Sequence, residues 1–255
     1  MNIAIVGASG MIGSKILAEA LSRGHVVTAI SRHPENLPAE LKSHANLRPA
    51  QAEVTDTAAL IKLFHGQDAI IHAYAPPQDP APRSAILEAR EKGADLLKAI
   101  TGYQPIDRKA HDDHVEYRID AQTAGTRSII AAAKAVGVCR ILGVGGAGTL
   151  LVSGTPSMNL PTFPKAFEGG AKSTAVVKEE LKAAGHHDPD LQWTVLCPPM
   201  EILPGQRTGK FRQGLDDLLV APDGTSRISL EDYAAAMVDE LEQANHTGKR
   251  FTVAY

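Results

Sequence analysis

The chain has 255 residues, of which 44% are hydrophobic and 22% charged, and its formal net charge is -3 at pH 7. This length suits one large α/β domain spanning residues 1–255, and the composition argues against a disordered chain. The mildly acidic balance, without a run of Lys or Arg, provides no electrostatic footprint for a nucleic-acid or membrane partner.

The compartment is predicted from what surrounds the first strand and from cysteine usage. Residues 1–6 enter an apolar strand directly, without the basic region of a secretory signal, and no apolar run reaches the roughly 20 residues that span a bilayer. Cys139 and Cys197 belong to no CxxC pair or metal-spaced cluster, so we expect buried free thiols. These features predict a cytoplasmic protein.

Short β-branched runs alternate with helical patterns along the chain, which is typical of right-handed βαβ units. The predicted fold class is α/β, a Rossmann-type doubly wound parallel sheet in three layers. Predicted strands cover residues 2–6, 26–31, 46–50, 68–74, 139–145, 192–197 and 250–254. Predicted helices cover residues 11–23, 34–42, 57–65, 113–136, 167–185 and 229–243. Expected helix stops are Gly24, Gly66, Gly137 and Gly185.

Three irregular segments follow the ends of predicted strands. Residues 76–113 open with a proline-rich run and are interpreted as an insertion after the fourth strand, with a helix over 84–100 and a loop through 103–105. Ligands of open α/β sheets bind outside the carboxyl ends of the strands. We therefore expect residues 154–164 and 198–224 to be substrate-side loops.

The turn after the first strand reads Gly7-Ala8-Ser9-Gly10-Met11-Ile12-Gly13. Its glycines stand where a backbone must reverse, approach a diphosphate closely, and pack a helix on its strand. The helix that follows presents free N–H groups and its positive dipole end to phosphates. The context predicts a dinucleotide site, and a turn that serves packing alone is the alternative. Expected contacts are Gly7, Ser9, Gly10, Met11, Ile12 and Gly13.

The end of the second strand, Ser31-Arg32, predicts the choice of cofactor. An acidic residue there would bind the ribose of NAD, and this strand end has none. Arg32 can form a charge-assisted fork to a 2′-phosphate and Ser31 can add a hydroxyl donor. The pattern favours NADP(H), with NAD(H) possible and a solvated Arg32 as the alternative.

The GxxGxxG spacing resembles the short-chain dehydrogenase/reductase superfamily. This resemblance implies that Asp56 meets the adenine amino group, although Asp56 could equally cap the next helix. At the end of the fourth strand we expect Ala73, Tyr74 and Ala75 to border the cofactor. His72 and Tyr74 could touch the nicotinamide ribose or pack in the core.

Ordinary members of that superfamily reduce carbonyls with a Tyr-x-x-x-Lys pair. No tyrosine of this chain is followed four residues later by lysine. Glu168 stands where the tyrosine belongs, with Lys172 four residues on, which argues against an alcohol dehydrogenase or ketoreductase mechanism.

Four segments together sharpen the resemblance: GASGMIG at 7–13, ILGVGGAGTL at 141–150, PGQRTGKFR at 204–212 and SRISLEDYA at 226–234. Together they resemble the atypical short-chain family of NADH-flavin reductases, which is related to NmrA-like proteins and to biliverdin-IXβ/flavin reductase. The insertion over 76–113 departs from compact members and leaves the substrate open.

The resemblance implies hydride transfer to a small-molecule acceptor such as FMN, FAD, a quinone or another conjugated compound, and the cofactor carries that chemistry. Gly145 and Gly146 would line the nicotinamide floor, with close packing as the alternative. Thr149 stands where relatives carry a serine hydroxyl and is the candidate catalytic residue. Pro198 would flank the nicotinamide, with Cys197 as a packed residue.

The remaining polar clusters are interpreted as surface features. Residues 111–114, His-Asp-Asp-His, precede a predicted helix, where such residues supply caps, so no metal site is predicted. His186 and His187 suit the negative end of a helix dipole. Arg207 and Arg212 could hold an anionic acceptor or stay solvated.

Two other functions remain open. A non-enzymatic NADP(H)-binding redox sensor of NmrA type would bind the dinucleotide without turnover and signal to a protein partner. An isomerase or epimerase acting on a nucleotide sugar is typical of many extended relatives, but it needs the tyrosine that this sequence lacks. The oligomeric state is open, and a homodimer is possible.

Overall fold

The computed structural model describes residues 1–77 and 108–255. The predicted helix over 84–100 and the loop through 103–105 lie outside these residues. The helices are Met11–Ser22 (α1), Thr57–Phe64 (α2), Arg108–Ala135 (α3), Glu168–His187 (α4) and Leu230–Gln243 (α5). The strands are Asn2–Val6 (β1), Val26–Ser31 (β2), Leu47–Gln51 (β3), Ala69–His72 (β4), Arg140–Val144 (β5), Leu151–Val152 (β6), Thr155–Pro156 (β7), Gln192–Cys197 (β8), Glu201–Leu203 (β9), Arg212–Gly214 (β10), Arg227–Ser229 (β11) and Lys249–Ala254 (β12).

A central sheet joins eight of the described strands in the order β10-β12-β8-β5-β4-β1-β2-β3. Neighbours run parallel except β10, which is antiparallel to β12 at one edge. Helices α1 and α5 pack on one face, and α2, α3 and α4 on the other. This three-layer arrangement confirms the predicted doubly wound α/β fold.

The order of the strands reverses between β1 and β4. The chain runs from β1 outward to β3 and then returns to place β4 on the other side of β1. Such a reversal opens a crevice at the carboxyl ends of the two strands, where ligands of this architecture bind. The candidate site therefore lies where residues 7–13 and 73–77 leave the sheet.

Strand β1 shows how sequence alternation builds the two cores. Ile3 and Ile5 face the core under α1 and α5, whereas Ala4 and Val6 face the core under α2 and α3. Full burial of an isoleucine side chain contributes about 1.5–3 kcal/mol. The strand that carries the glycine turn is thus anchored on both faces.

One predicted helix does not form, and another begins earlier than predicted. The helix expected over 34–42 is replaced by two short 3-10 turns, Pro34–Asn36 and Ala39–Leu41, because Pro38 lacks an N–H and disfavours helical geometry in Leu37. Helix α3 begins at Arg108, so the last residues of the predicted insertion over 76–113 are helical. The cluster at 111–114 consequently lies within the helix rather than before it.

Two expectations for single residues are also corrected. Gly24, Gly66 and Gly137 have φ of 82°, 77° and 74°, in the left-handed region expected of helix stops. Gly185 instead lies inside α4, where a Cβ would come 2.6 Å from the Trp193 ring, so it serves close packing. Cys139 is exposed because it precedes β5, and only Cys197 is a buried thiol.

The irregular segments contain short strands that alternation did not reveal. Strand β7 lies within 154–164, and strands β9 and β10 lie within 198–224. Each has only two or three residues, too few to show a period of two. In the described part of the chain, no helix combines the length and apolar composition needed to cross a membrane.

Candidate dinucleotide site

The glycine turn is built by close backbone contacts. Gly7 has φ of 87°, and a Cβ there would lie 2.6 Å from the carbonyl oxygen of Ala73. A Cβ on Gly13 would collide with the carbonyl oxygen of Gly7. Gly10 differs, because its Cβ would meet only the Gly7 oxygen, at 3.2 Å. Gly7 and Gly13 are therefore required for the turn to fold, whereas a side chain at Gly10 would contact only one backbone atom of the protein.

The N-terminus of α1 has the character of an anion site. Gly10 is its N-cap, no side chain caps the helix, and no acidic residue lies in the first turn. The helical ladder starts with Ser14 N–H donating to the Gly10 oxygen at 2.9 Å. Among the described residues, the N–H groups of Ile12 and Gly13 have no side-chain acceptor, and together with the positive dipole end they suit a phosphate.

The end of β2 places a cation beside this turn. Arg32 is exposed, and within the described residues its guanidinium has no carboxylate partner. The nearby carboxylate of Glu35 is held instead by His33, whose Nδ1 lies 3.0 Å from it. Ser31 is buried, and its Oγ has no partner in the described part. The contact of these two side chains with a 2′-phosphate stays a prediction.

Asp56 is the N-cap of α2. Its Oδ1 accepts a hydrogen bond from Ala59 N–H at 2.9 Å, as the capping alternative predicts. The contact with an adenine amino group stays a prediction.

The exit of β4 borders the crevice. Ala73 N–H donates to the Val6 oxygen at 2.9 Å, and Ala73 and Tyr74 are half-buried while Ala75 is exposed. The Tyr74 ring fits over Gly125 of α3, where a Cβ would come 2.8 Å from Tyr74 Cε1. Burial raises the pKa of the Tyr74 phenol, so that it stays neutral near pH 7. These residues are available to contact a cofactor lying across β1 and β4.

His72 belongs to the core rather than the crevice. It is 1% exposed, and its Nε2 lies 2.9 Å from Thr126 Oγ1 of α3. Burial lowers the pKa of His72 to about 4. The imidazole is therefore neutral, and it links β4 to α3.

The exit of β5 is packed against β8. A Cβ on Gly145 would lie 2.5 Å from Cys197 Sγ, and one on Gly146 would collide with Thr174 Oγ1. Thr149 is 7% exposed, and its hydroxyl donates to the Gly146 oxygen at 2.9 Å. Packing accounts for both glycines, while their contact with a nicotinamide and the role of Thr149 in turnover stay predictions.

Cys197 and Pro198 end β8 beside that turn. Both residues are buried, and Cys197 Sγ lies 3.5 Å from Thr149 Oγ1. Burial raises the pKa of the Cys197 thiol, which opposes formation of a nucleophilic thiolate. The packed role expected of Cys197 agrees with this environment, and the contact of Pro198 with the cofactor stays a prediction.

Glu168, at the place expected for the catalytic tyrosine, is held as a carboxylate. Its two oxygens lie 2.6 Å from Lys172 Nζ and 2.9 Å from Lys165 Nζ. Burial opposes its ionisation, but the two lysines hold the pKa of Glu168 at about 2. At neutral pH this group cannot donate a proton, and it neutralises the lysine that would otherwise activate a phenol.

Residues 204–212 are hydrogen-bonded to α1 and α5, on the face of the sheet opposite α4. Arg207 Nε and Nη2 donate to the two oxygens of buried Glu19, both at 2.7 Å. Thr208 and Gly209 N–H groups donate to the carboxylate of Asp232 at 2.8 and 2.7 Å. Arg207 is 51% exposed, but this pairing with Glu19 means that it is not free for an anionic acceptor.

Arg212 is bound to the protein, and the histidines of the described chain do not gather into a set of metal ligands. Arg212 Nε donates to the Tyr255 carbonyl oxygen at 3.2 Å. His186 and His187 form the last turn of α4, as expected of a dipole-complementing pair. Among the described residues, no three His, Cys, Asp or Glu side chains come close enough together to hold a metal ion.

Arg118 of α3 is a buried arginine beside the exit of β4 that the sequence pattern missed. It is 4% exposed, and its Nη1 donates to the carbonyl oxygens of Pro76 and Pro77 at 3.0 and 2.6 Å, just after β4. The available signal was its place on the buried face of α3, with Val115 and Gln122.

The fold and the glycine turn define a Rossmann-type nucleotide-binding protein. A family model described as NAD(P)H-binding matches residues 7–244. The chain belongs to this NAD(P)H-binding family, which confirms the class predicted from the sequence.

Relatives of similar length share the whole chain. The uncharacterized protein YwnB of Bacillus subtilis is 35% identical over 257 residues, which cover 99% of this chain and 98% of YwnB. A structure titled "putative epimerase" from Bacteroides thetaiotaomicron is 32% identical with a TM-score of 0.75, covering 100% of this chain and 96% of that one. A structure titled "putative NADH-flavin reductase" from Streptococcus pneumoniae is 25% identical with a TM-score of 0.66, covering 100% and 99%. The name given to the Streptococcus pneumoniae protein agrees with the resemblance found in the sequence.

Proposed function

We propose that the protein is an NADPH-dependent oxidoreductase that transfers hydride to a flavin, a quinone or a similar conjugated acceptor. The observation that carries this proposal is the arrangement around β1 and β2. In the described part of the chain, no side chain caps the N-terminus of α1, and the exposed Arg32 beside it has no carboxylate partner. A diphosphate and a 2′-phosphate are the groups that suit these two features.

The state of Glu168 supports a conjugated acceptor over a carbonyl. Reduction of a carbonyl produces an alkoxide, which needs a proton from a nearby acid in the transition state. Glu168 is ionised and bound to Lys172, so it cannot supply that proton. A flavin or quinone delocalises the charge after hydride transfer and takes its proton from solvent.

In this mechanism the cofactor, when bound, supplies the hydride. The residues of the turn 7–13 would hold its diphosphate, and Arg32 with Ser31 would hold its 2′-phosphate. The exits of β4 and β5 would orient the nicotinamide, with Tyr74 on one side and Thr149 near the other. Their task is to hold the acceptor against the nicotinamide and exclude water.

The test is anaerobic oxidation of NADPH, followed at 340 nm, with FMN, FAD, quinones and biliverdin as separate acceptors. Calorimetric titration of NADPH and NADH into the same preparation measures the cofactor preference. Turnover with a flavin or quinone and tighter binding of NADPH are the expected results. Tight NADPH binding without turnover of any acceptor would instead favour the redox sensor.

A further inference from the structure

The buried arginines of the described chain differ in one respect. Arg118, Arg140 and Arg250 are 4%, 7% and 9% exposed. Arg140 Nη2 lies 2.8 Å from a Glu240 oxygen, and Arg250 Nε lies 2.7 Å from an Asp216 oxygen. Arg118 has no carboxylate partner in the described part of the chain. A buried charge without a counter-charge is strongly unfavourable, so this guanidinium requires an explanation.

The contacts of Arg118 with the described residues leave one edge of its guanidinium without a strong hydrogen-bond partner. Nη1 donates both of its hydrogens to the carbonyl oxygens of Pro76 and Pro77. Nη2 has only a long contact, 3.4 Å, with Ser173 Oγ, and buried Nε has no partner among the described residues. The Nε/Nη2 edge is the one that binds both carboxylate oxygens in Arg127 and Arg207.

That edge faces the first turn of α4. A Cβ on Gly169 would lie 3.2 Å from Arg118 Cδ and 3.6 Å from its Nε, so the bare helix backbone lies against it. Among the described residues, no side chain caps the N-terminus of α4. The one acidic residue of this turn, Glu168, is occupied by Lys165 and Lys172. Burial raises the pKa of the Tyr74 phenol, so this neighbouring group carries no counter-charge near neutral pH.

We propose that the Nε/Nη2 edge of Arg118, together with the N-terminal turn of α4, binds an oxyanion of the acceptor, a carboxylate or a phosphate. The site lies at the carboxyl end of β4, on the side of the crevice where the proposed hydride acceptor would sit. The inference rests on the proposed function, and it narrows the acceptor to molecules with an acidic group. The oxyanion reaches this edge when Arg118 exchanges its long contact with Ser173 for the ligand. A planar guanidinium fork suits both oxyanions.

The test compares acceptors that differ only in an acidic group. FMN and riboflavin share one ring system and differ in the phosphate, and 10-carboxymethylflavin and lumiflavin differ in a carboxylate. We expect the wild-type KM to be about tenfold lower for the acidic member of at least one pair, as for a hydrogen bond to a charged group. A preference within the first pair identifies a phosphate, and one within the second a carboxylate.

The variants are Arg118→Met and Arg118→Lys, with Arg127→Met as the matched control. Arg127 lies on the same helix, is largely exposed, and uses the same edge on Glu180. Both Arg118 variants should lose the preference for the acidic flavin, and the control should keep it. Circular dichroism checks folding, and if Arg118→Met does not fold, Arg118→Lys and the wild-type comparison decide.

The outcomes separate this site from the proposed function. Equal wild-type KM values within both pairs, or a preference that survives in a folded Arg118 variant, would overturn the oxyanion site while leaving the reductase intact. If no flavin is turned over, a flavin is not the hydride acceptor, and calorimetric titration of the same four flavins then tests the oxyanion site. Tighter binding of an acidic flavin, lost in the Arg118 variants, would still support it, and equal binding would overturn it.

Discussion

Arg32 is the residue whose charge should decide between the two dinucleotides. It is exposed at the end of β2 beside the glycine turn, and the neighbouring carboxylate of Glu35 is held by His33. Arg32→Ala should weaken NADPH binding by about 10- to 100-fold, the worth of a charge-assisted contact, and change NADH binding little. Calorimetry with both cofactors measures this difference. Arg48→Ala, an exposed arginine on β3, is the control, and equal losses for NADPH and NADH would remove Arg32 from the 2′-phosphate site.

Thr149 offers a second test at the scale of one side chain. Its hydroxyl donates to the Gly146 oxygen and lies near Cys197 Sγ, so it holds the turn after β5. Thr149→Ala should lower kcat by about fivefold, the worth of one hydrogen bond of ~1 kcal/mol, and leave the Kd for NADPH nearly unchanged. Thr149→Ser keeps the hydroxyl and should restore kcat. An unaltered kcat in the alanine variant would show that this hydroxyl has no part in turnover.

At the scale of elements, the turn between β1 and α1 separates a binding glycine from packing glycines. Gly10 has φ of -73° and ψ of 168°, which a β-branched residue can adopt, and a Cβ there requires the Gly7 oxygen, 3.2 Å away, to shift by only a few tenths of an ångström. Gly10→Val should therefore fold with nearly the wild-type Tm and lose binding of NADPH and NADH by more than about a hundredfold, ~2.7 kcal/mol. Gly13→Ala should lower the Tm, because its methyl group collides with the Gly7 oxygen. Retained binding in folded Gly10→Val would mean that the turn serves packing alone.

Local patterns predicted the elements that local forces determine. Strand β1, its turn and α1 follow from an apolar run, three spaced glycines and a helical period, all within 22 residues. The region over 34–42 failed because its helical composition is interrupted by proline. Short strands such as β10 were not predicted from the sequence, because they form only by pairing with a distant strand, here β12.

The candidate site divides in the same way. The cofactor half is continuous in sequence, so its glycines and Arg32 could be recognised from spacing. The surroundings of Arg118 come from two distant segments, since it contacts Pro76 and Pro77 in one and Ser173 in the other. Likewise the Arg207 contact with Glu19 joins residues 188 positions apart. Nothing in the sequence around either arginine indicates its partner, so tertiary packing had to show it.

At the scale of the whole molecule, carboxylates hold the layers together. Glu240 of α5, 3% exposed, accepts hydrogen bonds from Arg140 of β5, Thr194 of β8 and His246 before β12. Burial opposes its ionisation, but the hydrogen bonds from His246 and Arg140 lower the pKa of Glu240 below its ordinary value of 4.5. Asp232 and Glu19 also have lowered pKa values, despite burial, because each binds loop residues of 204–212. The folded state therefore binds fewer protons than the unfolded chain as the pH falls.

The consequence is a fold that is destabilised by acid. A carboxylate with a lowered folded pKa contributes its stabilisation above its unfolded pKa, near 4.5, and loses it as the pH falls through the folded value. Urea unfolding should show a free energy that falls from about pH 6.5, because the unfolded chain protonates His72 while the buried imidazole stays neutral down to about pH 4, and that falls more steeply below about pH 4.5 as the carboxylates are protonated. Glu240→Gln should cost about 3–5 kcal/mol at pH 7, because it leaves buried Arg140 without its counter-charge, and the difference from wild type should shrink below pH 4.5. Glu35→Gln, at an exposed carboxylate, is the control and should unfold like the wild type at pH 7. A difference between Glu240→Gln and wild type that stayed constant down to about pH 2 would show that the ionised carboxylate is not what joins α5 to the sheet.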